Sequence, residues 1–141
     1  MTTRTDTTMW FLKDGSEGHM KGVVLMIEDE EHIRIVFRDA MFDEGVLVVA
    51  AASGEEGVAF FREHSEEIGL VVLDLSLPGI SGEVTFEQLK LIDPNVKVVI
   101  SSGFPAEDVM KKFDGTGVLG YLQKPYDYAT LVDSITRFIA A

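Results

Sequence analysis

No cysteine occurs among the 141 residues, which excludes a disulfide framework and any thiolate-held metal. That is compatible with a reducing cytoplasm. Proline is scarce, at 4 residues, so little interrupts regular secondary structure. Basic residues number 12 against 24 acidic ones, and the formal charge of −12 argues against direct binding of nucleic acid or of an anionic membrane. A cation or a cationic partner suits it better. No apolar run approaches the roughly 20 residues of a membrane span, and the Thr-rich start lacks the apolar core of a signal peptide. The chain is therefore expected to be soluble and intracellular, in the cytoplasm. The histidines, His19, His32 and His64, are too scattered for a zinc cluster.

What is present is a hydrophobic content of 46%, enough to bury a core, in a length that argues for one domain. Residues 1 to 20 mix Thr, Gly and charge without sustained periodicity and read as a tail before a domain at 21–141. Gly18-His19-Met20 suggests a remnant of cloning, and Thr7 to Leu12 the frayed last strand of a preceding domain; both origins stay open. From Lys21 onward, apolar runs at Val23–Ile27, Val46–Ala51, Leu70–Leu73, Val96–Ile100 and Val118–Leu122 are strand candidates, each followed by a helical pattern. Strands alternating with helices predict a doubly wound α/β domain.

The first helix carries Ile33, Val36, Phe37, Ala40 and Met41 at helical spacing, and the last carries Leu131, Val132, Ile135, Phe138 and Ile139. Ser53-Gly54-Glu55-Glu56 is a capping-box pattern for the second helix, and Pro105 suits the first turn of the fourth. Gly45 and Pro94 close helices. His64 is expected at the surface near the end of the second helix, and His32 on an exposed helix face. Met26, Met41 and Met110 fit apolar packing. The chain stops at Ala141, directly after the fifth helix, so no output domain is expected within it.

Asp74 ends the uninterrupted apolar run Leu70-Val71-Val72-Leu73. Such a run reads as a strand buried on both faces, which places Asp74 at the carboxyl edge of a parallel sheet, where ligands bind in open α/β folds. Glu28 and Asp29 follow the first strand and lie beside Asp74 if those two strands are neighbours. Each acid alone is explained by helix capping or solvation. Three converging carboxylates either raise a pKa or recruit a cation, and hard oxygen ligands with room for water suit Mg²⁺. Ser102 after the fourth strand and Lys124 after the fifth complete a set at the same edge.

With Glu28-Asp29, Asp74-x-x-x-Pro78-x-x-x-Gly82, Ser102-Gly103 and Lys124-Pro125 in this order, the chain resembles the receiver domain of two-component response regulators over essentially all of residues 21 to 141. Phe104 and Gly120-Tyr121-Leu122-Gln123-Lys124-Pro125-Tyr126 make it look most like receivers attached to hybrid sensor histidine kinases. The resemblance implies a flavodoxin-like sheet of order 2-1-3-4-5 with five helices. It also implies that Asp74 is the phosphoacceptor for a histidine kinase or histidine phosphotransfer domain. Glu28, Asp29, Asp74 and the backbone carbonyl of Ser76 are then the Mg²⁺ ligands, and Lys124 pairs with the phosphoryl group. The Lys124-Pro125 bond is expected to be cis, so that Pro125 aims the ammonium.

By the same resemblance Ser102 donates its hydroxyl to the phosphoryl group and Tyr121 occupies the aromatic switch position. Their movement would alter the face made by the fourth helix, fifth strand and fifth helix, through which a homodimer is also conceivable. Tyr121 has an ordinary reading as a packed edge-strand aromatic. Two departures stand out: Glu28 where Asp is more usual, and Ser102-Gly103 in place of Thr-Ala.

Two rivals carry less of the sequence. An aspartyl-phosphate-forming phosphohydrolase typically needs a second acid two residues past the nucleophile, and that position is Ser76. A non-phosphorylated pseudo-receiver acting only as an interaction module leaves the competence of all five site positions unexplained. A stand-alone shuttle and the receiver of a hybrid kinase are both compatible with the residues.

Overall fold

The computed structural model describes residues 9–11, 17–19 and 22–141. Two three-residue strands, β1 (Met9–Phe11) and β2 (Glu17–His19), pair antiparallel with Met9 opposite His19; β1 falls within the Thr7–Leu12 segment for which the sequence offers a strand reading, and β2 where no strand is expected. The rest of the expected N-terminal tail lies outside the described residues.

The remaining strands are β3 (Val23–Ile27), β4 (Val48–Ala51), β5 (Ile68–Asp74), β6 (Val98–Ser102) and β7 (Gly120–Gln123). They form one parallel sheet of order β4-β3-β5-β6-β7, which is 2-1-3-4-5 counted within the sheet. Helices α1 (Glu31–Asp43), α2 (Gly54–His64), α3 (Gly82–Ile92), α4 (Ala106–Lys112) and α5 (Tyr128–Ala140) follow the strands in turn, giving the flavodoxin-like fold. Every residue of β3, β5 and β6 is buried, as continuous apolar runs covered on both faces require.

Side chains alternate between two cores. Val24, Met26, Leu70, Val72, Val99 and Leu122 pack with Phe37 and Met41 of α1 and with Leu131 and Ile135 of α5. Leu25, Ile27, Val71, Leu73, Val98 and Ile100 pack on the other side with Val58, Phe61, Phe86, Leu89 and Val109 from α2, α3 and α4. Leaving β3, the chain passes first to β4 on one side and then to β5 on the other. This switch point opens a crevice at the carboxyl ends of β3 and β5.

Helix ends follow local chemistry. Ser53 accepts the Glu56 amide and Ser81 the Val84 amide, each satisfying a donor of the first turn. The Glu56 carboxylate reaches back to the Ala52 amide at 2.8 Å, one residue earlier than in a standard capping box. Pro105 precedes α4 as its N-cap. Gly45, with φ 81, takes the left-handed position after α1.

Two expectations need correction. Val36 is 49% exposed although it falls on the apolar stripe of α1, because the buried face is the narrower set Phe37, Ala40 and Met41. His64 is half-buried rather than freely exposed: its side chain is 13% exposed, its ring sits 4.4 Å from Phe60, and Nδ1 lies 2.9 Å from Glu67. The turn after α2 folds Glu67 back over it.

Candidate functional site

The alternation that sorts the two cores also builds the site. On the α1 and α5 side, the rows Val24-Met26, Leu70-Val72, Val99 and Leu122 continue to Glu28, Asp74, Ser101 and Lys124 at the carboxyl ends of neighbouring strands. Register agrees: Ile27 pairs with Leu73, Asp74 with Ser101, and Ser101 with Leu122. Asp74 is the last residue of β5, held in the ladder by the Leu75 amide donating to the Ser101 carbonyl at 3.2 Å.

Glu28 is 1% exposed and Asp74 3%, while Asp29 is open to solvent. One carboxylate oxygen of each lies within 4.8 Å of the others. Lys124 reaches in from the end of β7, with Nζ 2.7 Å from Glu28 Oε1 and 3.2 Å from Asp74 Oδ1. The contact to Asp74 is a directed hydrogen bond. The closer approach, to Glu28 Oε1, is a buried ion pair, and among the described residues Lys124 is the group that meets this oxygen. The rest of Glu28 is held: Oε2 accepts the Glu30 amide at 3.2 Å, and its backbone carbonyl accepts from Arg34 at 2.8 Å.

Burial pushes the Glu28 carboxyl above its ordinary value against the pull of Lys124, with the Asp74 charge adding to the rise. Burial likewise raises Asp74, opposed by Lys124 and the Ser76 backbone and assisted by the charge of Asp29. Burial alone would lower Lys124, but its contacts with Glu28 and Asp74 outweigh that and hold the ammonium above its usual value. The cluster is thus short of positive charge, and Lys124 is the cation it has. Two buried carboxylates and a third open to solvent, sharing one ammonium, fit a hard divalent cation.

The loop after Asp74 is clamped from two sides. A Cβ on Gly82 would meet Leu75 Cα at 2.8 Å and the Asp74 carbonyl oxygen at 2.9 Å, so α3 packs directly on the backbone behind Asp74. Gly79, with φ +72, lies against the Glu55 carboxylate, which accepts the Ile80 amide at 3.2 Å. Ser76 itself is exposed on this loop.

Ser102 is buried at the end of β6, and its Oγ accepts the Phe104 amide at 3.0 Å. Its carbonyl accepts the Lys124 amide at 2.8 Å and the Tyr121 hydroxyl at 3.0 Å. The Tyr121 hydroxyl also meets the Phe104 carbonyl, and its ring packs against the α2–α4 core. Tyr121 therefore holds the loop that follows Ser102. The Lys124–Pro125 peptide bond is cis.

Sequence reasoning missed Ser101 and Tyr126, whose hydroxyls hydrogen-bond each other, and the Glu55 clamp. Ser101 had a signal: it stands one alternation beyond Val99, on the side facing Asp74. Tyr126 and Glu55 had none, since their partners lie 25 residues away in the chain.

Residues 24–136 match the response regulator receiver domain. Sporulation initiation phosphotransferase F of Bacillus subtilis is 27% identical over 120 residues, covering 85% of this chain and 95% of that protein. Sensor kinase CckA of Brucella abortus is 27% identical over 116 residues, which is 82% of this chain and 12% of the kinase. Among solved structures, a chain of the CheX–CheY–BeF3–Mg²⁺ complex from Borrelia burgdorferi superposes with a TM-score of 0.76 at 25% identity, covering 82% of this chain and 87% of that one.

Proposed function

The chain belongs to the response regulator receiver domain family, a phosphoacceptor family of two-component signalling, and from that premise we propose that Asp74 takes a phosphoryl group from phosphohistidine on a histidine kinase or histidine phosphotransfer domain. The observation that carries this is the buried Asp74 carboxylate with the Lys124 ammonium 3.2 Å away and two more acids beside it. A carboxylate oxygen of Asp74 forms the new P–O bond as the P–N bond breaks. The imidazole leaves with the bonding pair, its other ring nitrogen already carrying a proton.

Glu28, Asp29 and Asp74, with the backbone carbonyl of Ser76, would hold Mg²⁺, and the excess of carboxylate over ammonium in this cluster supports that assignment. When bound, the ion supplies positive charge to the phosphoryl oxygens. Three carboxylates carry about −3 and the metal with Lys124 about +3, so the incoming phosphoryl group enters a near-neutral site. Lys124 meets a phosphoryl oxygen, and Asp74, fixed by the β5–β6 ladder, is held for in-line attack.

Ser102 donates its hydroxyl to the phosphoryl group after releasing the Phe104 amide. Because Tyr121 binds the carbonyls of Ser102 and Phe104, that movement reaches the face formed by α4, β7 and α5. The same face is proposed for a phosphorylation-dependent homodimer, which light scattering with and without beryllofluoride would detect. The domain, with its kinase partner, is assigned to the cytoplasm, and the excess of acidic residues argues against nucleic acid as a direct ligand.

Intact mass after incubation with Mg²⁺ and phosphoramidate tests the assignment. Wild type should gain one phosphoryl mass, and Asp74→Asn or metal chelation should abolish it. An unlabelled wild type, or equal labelling of Asp74→Asn, refutes it.

A further inference from the structure

One member of the side-chain row at the site has no part in the chemistry above. Ser101, rather than Ser102, continues the strand face of Val72 and Asp74, and it is the register partner of Asp74 on β5 and of Leu122 on β7. Its residue is 1% exposed, and a hydroxyl so enclosed needs a partner. The partner is the phenol of Tyr126, two residues beyond Lys124. The Tyr126 ring packs against the α1–α5 core, and burial, above all, pushes its phenol up to about 12, so it stays a neutral hydrogen-bonding group at physiological pH.

The segment bearing Lys124 is tied at few points. Before it, the Lys124 amide donates to the Ser102 carbonyl at 2.8 Å, the last rung of the β6–β7 ladder. After it, Asp127 caps α5 through the Thr130 amide at 2.9 Å. Between these ends the Ser101–Tyr126 bond joins the segment to the strand that flanks Asp74. Both tethers start from consecutive residues of β6.

We propose that Ser101 and Tyr126 are positioning residues: their hydrogen bond holds the backbone of residues 124–126 so that the Lys124 ammonium stays between Glu28 and Asp74. The lysine stem has four rotatable bonds, so only a fixed root delivers its charge to one place. A displacement of about 1 Å at such a group costs up to about a hundredfold in rate. The pair touches neither Asp74 nor the phosphoryl group in this role and acts only through Lys124.

This inference rests on the phosphoacceptor reading, and its test keeps the two apart. Tyr126→Phe and Ser101→Ala each delete the bond from one side. Each should lower the phosphoramidate labelling rate at saturating Mg²⁺ by on the order of tenfold, while leaving the Mg²⁺ concentration for half-maximal rate within about twofold. Peptide-resolved acetylation with acetic anhydride supplies a second reading. Lys124 should become several-fold more reactive in both variants, and Lys97, which donates to the Ile139 and Ala141 carbonyls at 3.0 and 2.9 Å, should not change. Labelling at the wild-type rate in either variant, unchanged Lys124 reactivity, or an equal rise at Lys97 overturns the positioning role. An unlabelled wild type overturns the phosphoacceptor reading, and the positioning role with it.

Discussion

Replacing Lys124 by Met keeps the apolar stem and removes the cation that is ion-paired with the carboxylates of both Glu28 and Asp74. At separations of 2.7 and 3.2 Å, and an effective dielectric of about 20, the two contacts correspond to gross attractions of about 6 and 5 kcal/mol. Desolvating three charges offsets most of this. Removing one partner from a buried ionic cluster costs about 3–5 kcal/mol, and because the Lys124 side chain is 19% exposed the lower end applies. A loss of about 3 kcal/mol in a domain of this size is a fall of roughly 10 °C in melting temperature, readable by calorimetry of the metal-free protein at pH 7.5.

The pH dependence has a definite sign. Glu28 and Asp74 are already held above their ordinary values by burial, and Lys124 is what restrains the rise. Without it both climb further. A carboxyl whose folded-state pKa exceeds its unfolded one makes the fold bind extra protons, so stability is intact below the ordinary carboxylate range and is lost as pH rises through the raised value. The deficit of Lys124→Met should therefore be large at pH 7.5 and shrink toward pH 4.5, and saturating Mg²⁺ should recover most of it by replacing the missing charge. A melting temperature within about 2 °C of wild type at pH 7.5, or an equal deficit at both pH values, would refute the electrostatic account.

Two further outcomes follow from the same geometry. Asp74→Asn should raise the melting temperature of the metal-free protein at pH 7.5, since it replaces a carboxylate whose charged form burial disfavours with a neutral isostere; Mg²⁺ should then stabilise the variant less than wild type, as paired melts would show. Gly82→Ala should cost about 1–3 kcal/mol in urea unfolding, despite the better helix propensity of Ala, because its Cβ would press on backbone atoms of Leu75 and Asp74 that cannot rotate away.

Much of the fold is legible in the chain because a strand buried on both faces must be apolar throughout. Leu70–Leu73 and Val23–Ile27 carry that mark, and β3 occupies Val23–Ile27 while β5 extends to Ile68–Asp74. Carboxylates at the ends of those runs are legible for the same reason: Glu28 and Asp74 stand where a continuous apolar run stops. The outer limits of the other strands are less so, since β4 begins at Val48 rather than Val46 and β6 ends at Ser102 rather than Ile100. Pairing with a neighbouring strand, not local composition, sets those ends. Val36 and His64 show the limit on helices, where periodicity gives a face but not its width or what folds over it.

Taken alone, the sequence determined that this is an α/β domain with acids, a hydroxyl and a lysine at the carboxyl ends of its strands, because hydrophobic periodicity and strand-end position are local properties. Only the tertiary structure decided that Glu28, Asp74, Ser101 and Lys124 stand in one row, and that Lys124 lies closer to Glu28 than to Asp74. The same holds for Tyr126, whose hydroxyl finds Ser101 across 25 residues of chain. Strand order and register bring such groups together, and those are set by how whole elements pack, which no short window of residues encodes.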